Sequence, residues 1–377
     1  MIHTRKTLIT VFVGSLILAG TLALGACNQN AIFFNIENEI ALREAVIPGG
    51  PTKIVELGTH LYVASGGRVY EYGGGSWHSM GNQPPGSKVL DLAVAGSSLY
   101  ALTSGSSGLD SAKVYQYITS WSEVSNGTGY ILQSLHGAND RLFVGAYTTP
   151  GDKSVNRYAV LVVTGTALTL VRGPAADNQG ELQAAAFFDS EYYISLAGQG
   201  IFHGTTEAAL GAATALTDSA GNNFTALLPV GTTELIAVTS KCRIWKIPPG
   251  TTAVVERDYN VDFSGALALW DDGTNQLLLL GRTSSSGITT TSYTYGYWEL
   301  PITGGALDIG ASLAAPGNNT VTTVASNAKY NSSLGTHVIT SLYQASSAID
   351  SARPLFASTQ QDGLWSSRFP LKEWNIE

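Results

Sequence analysis

Lys53–Met80 reads KIVELGTHLYVASGGRVYEYGGGSWHSM, four short apolar-polar runs separated by glycine-rich turns. Lys53–Leu57, Leu61–Ser65, Arg68–Tyr72 and Ser76–Met80 are each strand-length and rich in β-branched and aromatic residues. Gly66-Gly67 joins the second run to the third, and two glycines supply the positive φ that a two-residue hairpin needs. The stretch therefore predicts a four-stranded antiparallel meander, with strands A to D in chain order.

The second run recurs along the chain. It returns as Leu99-Tyr100-Ala101-Leu102, Leu142-Phe143-Val144-Gly145, Tyr192-Tyr193-Ile194-Ser195, Leu235-Ile236-Ala237-Val238, Leu277-Leu278-Leu279-Leu280 and His337-Val338-Ile339-Thr340. From Leu61 the spacings are 38, 43, 50, 43, 42 and 60 residues, with a mean of 46. Such a period is the length of one propeller blade. Strand C recurs at Val114–Tyr117, Tyr158–Val163, Gly200–His203, Arg243–Ile247, Tyr293–Leu300 and Leu364–Arg368, and Trp77, Trp121 and Trp374 mark strand D in three copies. These aromatics read as packing between blades rather than as a sugar-binding array. No sustained helical period is present, and Glu207–Ala215 allows one short helix at most. The expectation is an all-β chain whose residues 51–377 form a β-propeller of seven four-stranded blades, with six or eight as the alternatives.

Two segments fit this pattern poorly. Thr303–Asn319 is an extended tail of blade 6, and Ile32–Ile40 alternates partly like a strand ahead of the first copy. The latter either adds an edge strand to the last blade or plugs a channel mouth, within a lead of residues 27–50.

A–B turns are mostly short, whereas four B–C connections read as long: Ser104–Ser111, Thr148–Asn156, Arg282–Thr291 and Gln344–Arg353. In a propeller the B–C loops share one face. That face, represented by Ser104, Thr148, Arg282, Gln344 and Arg353, is the candidate binding surface. Neutral drift explains long loops equally well, because lengthening a loop costs little.

Catalytic patterns are missing. The chain has no His-Glu-x-x-His, no Cys-x-x-Cys and no Gly-x-Ser-x-Gly. His60, His78, His136, His203 and His337 fall at different strand positions without metal-ligand spacing. His60 and His337, both placed near A–B turns of blades 1 and 7, would be surface neighbours across the closure. Asp271–Asn275 lacks the alternating carboxylates of a calcium loop and reads as an A–B turn. Ser358–Trp365 has a faint likeness to the Asp-box of sialidase propellers, with altered spacing. Cys242 reads as a buried, inert thiol. No catalytic residue, metal or cofactor is expected.

The front of the chain states an address. Arg5 and Lys6 precede an apolar run from Leu8 to Ala26, then Leu24-Gly25-Ala26 stands directly before Cys27. Leu-x-x-Cys with small residues before the cysteine resembles the bacterial lipoprotein box. This implies a signal peptide over 1–26, cleavage before Cys27 and acylation of that cysteine. An uncleaved membrane helix would leave the cysteine's position unexplained. Removing Arg5 and Lys6 leaves 18 basic against 28 acidic residues, which argues against a nucleic-acid partner.

Leu24-Gly25-Ala26-Cys27, Phe34-Asn35-Ile36-Glu37-Asn38-Glu39 and the final Asp362-Gly363-Leu364-Trp365 together resemble spirochaetal, treponeme-type lipoproteins. The similar paralogous group includes a fibronectin-binding adhesin. The resemblance implies an outer-membrane or surface lipoprotein that contacts host matrix, on either the periplasmic or the outer side. The expected function is a lipid-anchored, non-enzymatic protein-binding propeller, with a surface adhesin for host matrix such as fibronectin as its specific form. The alternatives are a periplasmic glycan hydrolase or lyase with carboxylates at the channel mouth, and an envelope-assembly scaffold.

Overall fold

The computed structural model describes residues 46–105, 108–148, 157–173, 180–217, 219–250, 255–283, 296–313, 334, 337–367 and 374–377. Leader, Cys27 and Ile32–Ile40 lie outside the described residues, so the expected signal, acylation and closing strand are not addressed by it. Seven antiparallel sheets follow one another along the chain, each a meander of sequence neighbours. Blade 1 runs Val55–Leu57, His60–Ser65, Arg68–Gly73 and Ser76–Ser79, within a residue or two of the strands read from the opening stretch.

The reason these sheets form a ring lies in strand B. Leu61 and Val63 pack with Ile54, Tyr72 and Trp77 of their own blade and with Phe356 and Leu364 of blade 7. Tyr62 and Ala64, on the opposite face of the same strand, pack against Val89, Leu92, Leu99 and Ala101 of blade 2. A strand buried on both faces needs apolar residues at nearly every position, which is why LYVA does not alternate. The same arrangement continues around the molecule. Separate apolar clusters join blades 2 and 3, 3 and 4, 4 and 5, 5 and 6, and 6 and 7. With the 7–1 and 1–2 clusters, the ring is complete. The tryptophans of strand D belong to these seams: Trp77 lies edge-on to Phe356 at 5.3 Å, and Trp374 to Tyr297 of blade 6 at 5.9 Å. Trp121 donates its Nε1–H to Asn82 O at 2.9 Å, reaching back to the blade 1–2 connection.

Among the described residues, all four strands of blade 7 come from the C-terminal end of the chain. The incoming segment fastens onto them. Leu364 N donates to Ile47 O at 3.2 Å, Gly363 N to Gly49 O at 2.7 Å, and Ile47 N to Glu377 O at 3.2 Å. Ser358 Oγ donates to Thr52 O at 2.9 Å, and Ser341 Oγ accepts from Ile54 N at 3.1 Å.

Six sheets have four strands; the sheet of blade 4 has three, followed by the helix Glu207–Ala212. Thr206 caps this helix by accepting from Ala209 N at 3.1 Å. At its other end Arg172, on the outer strand of blade 3, donates to Leu210 O at 2.8 Å and to Ala213 O at 3.0 Å while lying 4.1 Å over the Phe202 ring. The outer strand Gly200–Gly204 is also covered: Ile201 O accepts from Leu216 N and Ile201 N donates to Ser219 Oγ. A helix and a turn thus occupy the place of a fourth strand.

Five expectations are corrected. His337–Thr340 opens strand A of blade 7 (Ile339–Gln344), not strand B, which is Leu355–Thr359. Both runs are short and apolar, and the ten residues Ala345–Pro354 between strands imitate a B–C loop. Consequently Gln344–Arg353 is an A–B connection, not a B–C loop. His60 sits at an A–B turn while His337 enters from the D–A side, so the two are not neighbours. The Ser104–Ser111 loop shrinks as well, because strands Ser98–Gly105 and Gly108–Tyr117 extend toward each other. Thr303–Asn319 is only partly tail: Ile309, Ala311 and Leu313 pack into the 5–6 seam, and Tyr259 Oη donates to Ile309 O at 3.1 Å.

Blades 2 and 3 approach most closely at Gly137, where an added Cβ would lie 1.9 Å from Val94 O. Gly137→Ala should therefore destabilise the ring by about 1–3 kcal/mol, the usual cost of overpacking. Urea unfolding would read this as a lower midpoint at unchanged slope; an unchanged midpoint would contradict the close approach.

Candidate functional site: the central channel

Strand A of every blade is innermost, and the seven together line a cavity of about 510 Å³. That is within the range of ligand-binding pockets, about 300–1,000 Å³. What turns side chains into it is a repeated bulge. In blades 2 to 7, strand A carries one or more extra residues relative to strand B near its start. Gln183 in blade 4, Thr225 in blade 5 and Thr340 in blade 7 are the unpaired residues of single-residue bulges and face the cavity. Bulges re-aim side chains in this way. Period-2 reading of the sequence misses them, because an extra residue shifts the alternation; a break such as Phe224-Thr225-Ala226 is the signal that would have found them.

The wall formed by blades 1 to 4 is polar. Lys53 reaches out of blade 1 and donates to Asp91 Oδ2 of blade 2 at 3.0 Å and to the Leu135 carbonyl of blade 3. Asp91 is fully engaged, since Leu135 N donates to Oδ2 at 2.8 Å and Leu92 N to Oδ1 at 2.9 Å. One ammonium thus ties three inner strands together. His136 is next in the wall, its Nε2 3.1 Å from Ser134 Oγ. Burial, with the Lys53 charge adding to it, holds its pKa well below the ordinary histidine value. Gln133 donates to Glu181 Oε1 at 2.7 Å, and burial raises the Glu181 pKa.

In blades 5 to 7 the lining mixes apolar residues such as Ala226, Ala266 and Leu267 with the hydroxyls of Thr225, Thr340 and Ser341. At the A–B mouth, Tyr343 Oη donates to Glu56 Oε2 at 2.9 Å. Burial first, then the Glu56 charge, raises the Tyr343 pKa, so it remains a phenol donor.

The loop residues singled out from sequence are scattered. Ser104 is buried, with its Oγ 3.1 Å from Ser87 Oγ. Thr148 is half-buried at the end of a strand, and the loop after it lies outside the described residues. Arg282 stacks 3.9 Å over the Trp298 ring, and burial lowers its pKa. Gln344 and Arg353 belong to the opposite face. There Gln344 Oε1 accepts from Asp271 N at 2.8 Å and Arg353 Nη2 lies 3.8 Å from Asp271 Oδ2, an interlock between blades 6 and 7.

Asp272 accepts from Thr274 N and Asn275 N at 2.8 and 2.7 Å, so Asp271–Asn275 is a self-satisfied A–B turn. Cys242 is buried, and burial pushes its thiol up to about 12. It sits at φ 54° in the B–C turn rather than in the strand itself. Among the described residues no group of three His, Cys, Asp or Glu is placed to hold a metal ion. Glu299, pushed up to about 7 by burial, is on strand C of blade 6 and does not line the channel.

Comparison with known proteins agrees with this architecture. Residues 2–150 match the TP013X lipoprotein family, a span that includes Cys27 and blades 1 and 2 but less than half of the chain. No curated protein matches. Among solved structures, the extracellular domain of BT4673 from B. thetaiotaomicron is similar at TM-score 0.54 and 12% identity, over 85% of this chain and 39% of that one. This chain therefore spans well under half of that protein's length. The WD40 propeller domain of Doa1 is similar at TM-score 0.52 and 11% identity, over 89% and 95% of the two chains. The GH74 enzyme of Niastella koreensis is similar at TM-score 0.57 and 13% identity, over 88% and 55%. These likenesses show the propeller fold and, at such identity, nothing further.

The His136 environment predicts an acid sensitivity. The unfolded imidazole takes up a proton near pH 6.5, whereas the folded one resists it, so the unfolded state binds more protons below that pH. Stability should fall as pH drops through about 6.5, by at most about 1.4 kcal/mol per pH unit from this group. His136→Gln should show a flatter stability profile than wild type between pH 7 and 5 in urea melts. Parallel profiles would contradict the assignment.

Proposed function

We propose that the chain is a lipid-anchored bacterial envelope protein whose propeller acts as a non-enzymatic binding module for another protein. The observation that carries this reading is the lipoprotein-family match across residues 2–150, which spans Leu24-Gly25-Ala26-Cys27 and runs on into the ring. Acylation at Cys27 moors the protein, and the closed ring presents two loop-bearing faces. The specific form we favour is an outer-membrane protein exposed at the surface, acting as an adhesin for host matrix such as fibronectin. It rests on the sequence resemblance to treponemal lipoproteins.

The channel chemistry favours binding over catalysis. Glycoside hydrolysis ordinarily needs two carboxyl groups flanking the scissile bond. Among the described residues lining the channel, Glu56 is the one carboxylate, and it is engaged with Tyr343. Deeper inside, Lys53 is paired with Asp91.

Metabolic labelling with a palmitate analogue, comparing wild type with Cys27→Ala, tests the anchor: label should be lost completely in the variant. Protease treatment of intact cells and a solid-phase fibronectin assay test the adhesin form, which expects cleavage and saturable binding. Full protection together with no matrix binding would rule that form out.

A further inference from the structure

The A–B mouth of the channel differs from its interior in one respect. Lys53, the cation inside, already faces Asp91 at 3.0 Å. Glu56 stands three residues further along the same chain segment, at the A–B end, where its partner is the Tyr343 hydroxyl at 2.9 Å. No cation among the described residues pairs with Glu56. The cations of the surrounding A–B face are committed elsewhere: Arg141 to Asp140 at 2.6 Å, Lys246 to Glu234 at 2.9 Å and Arg353 to Asp271 at 3.8 Å. Asp189 and Asp272, on A–B turns of blades 4 and 6, add negative charge with no cation partner among the described residues.

We propose that this mouth receives a cationic side chain, lysine or arginine, from a partner protein, with Glu56 as counter-ion and the Tyr343 ring beside it. The site deepens the protein-binding reading and rests on it. A cavity is available behind the carboxylate, so a long side chain can enter rather than lie on the surface. Glu56 is half-buried, and a partly buried carboxylate attracts a cation more strongly than one in open water. The aromatic ring adds a cation–π contribution that a neutral ligand would not collect. Anionic segments are disfavoured by Glu56 and by the rim.

Fluorescence anisotropy of a labelled ten-residue lysine-rich peptide against the full lipidated chain in non-ionic detergent tests the site. A peptide of the same length with glutamate at each lysine position is the comparison. The lysine peptide should bind saturably, and the glutamate peptide should not. Glu56→Gln, which keeps an acceptor for Tyr343, should weaken the lysine peptide at least fivefold. Asp272→Asn, which keeps its turn, should weaken it less than twofold. Equal losses in the two variants would show diffuse attraction to an acidic face and overturn the proposal. So would equal binding of both peptides, or no binding of the lysine peptide at millimolar concentration. Peptide binding that survives while fibronectin binding is absent would sink the adhesin form and leave this site standing.

Discussion

Burial of strand B on both of its faces is the constraint on which everything else depends. A four-stranded meander of this size exposes two apolar faces and cannot stand alone. Each blade covers one face with its predecessor and the other with its successor. The chain of partners ends satisfactorily only if the last blade meets the first. That meeting is made by Ile47, Ile54, Tyr72 and Trp77 on one side and Phe356 and Leu364 on the other. It is reinforced by backbone bonds from Gly363 and Leu364 to the incoming segment at Gly49 and Ile47. Each sheet keeps two short edges, strand A at the channel and its last strand on the outside.

The channel is a by-product of that packing, shaped by a second device. Seven inner strands around an axis leave a hole, and bulges in six of them decide which residues enter it. Polar residues gather on one side because Lys53, Asp91 and the Leu135 peptide satisfy each other across three blades. The opposite side mixes small apolar residues with Thr225, Thr340 and Ser341 and, among the described residues, holds no ionised group. Lys53, Asp91 and the Leu135 carbonyl are committed to one another, whereas Glu56 stands at the mouth with a neutral partner, the Tyr343 hydroxyl.

Much of the ring was legible in the sequence because two-sided burial writes a strong signal. Runs such as Leu61-Tyr62-Val63-Ala64 and Leu235-Ile236-Ala237-Val238 have no polar position to confuse them, and Gly66-Gly67 punctuates the first copy. Blade 7 was misregistered where that signal is weakest. Its strand A (Ile339–Gln344) is as apolar as a strand B, and the insertion before Leu355 has the composition of any loop. The channel was largely invisible, since its lining depends on bulges and on contacts far apart in the chain. Lys53 and Asp91 are 38 positions apart, and nothing local to either announces the pair. Loop length pointed toward a single binding face, whereas the structure distributes the candidate residues over both.

Closure of the ring can be measured directly. Hydrogen-exchange mass spectrometry on Phe356→Ala, compared with wild type, reports on strand B of blade 7 (Leu355–Thr359) and on strand B of blade 1 (His60–Ser65). The account predicts that both strands lose protection together, because Phe356 fills the seam they share. Loss confined to blade 7, with His60–Ser65 as protected as before, would contradict a closed ring.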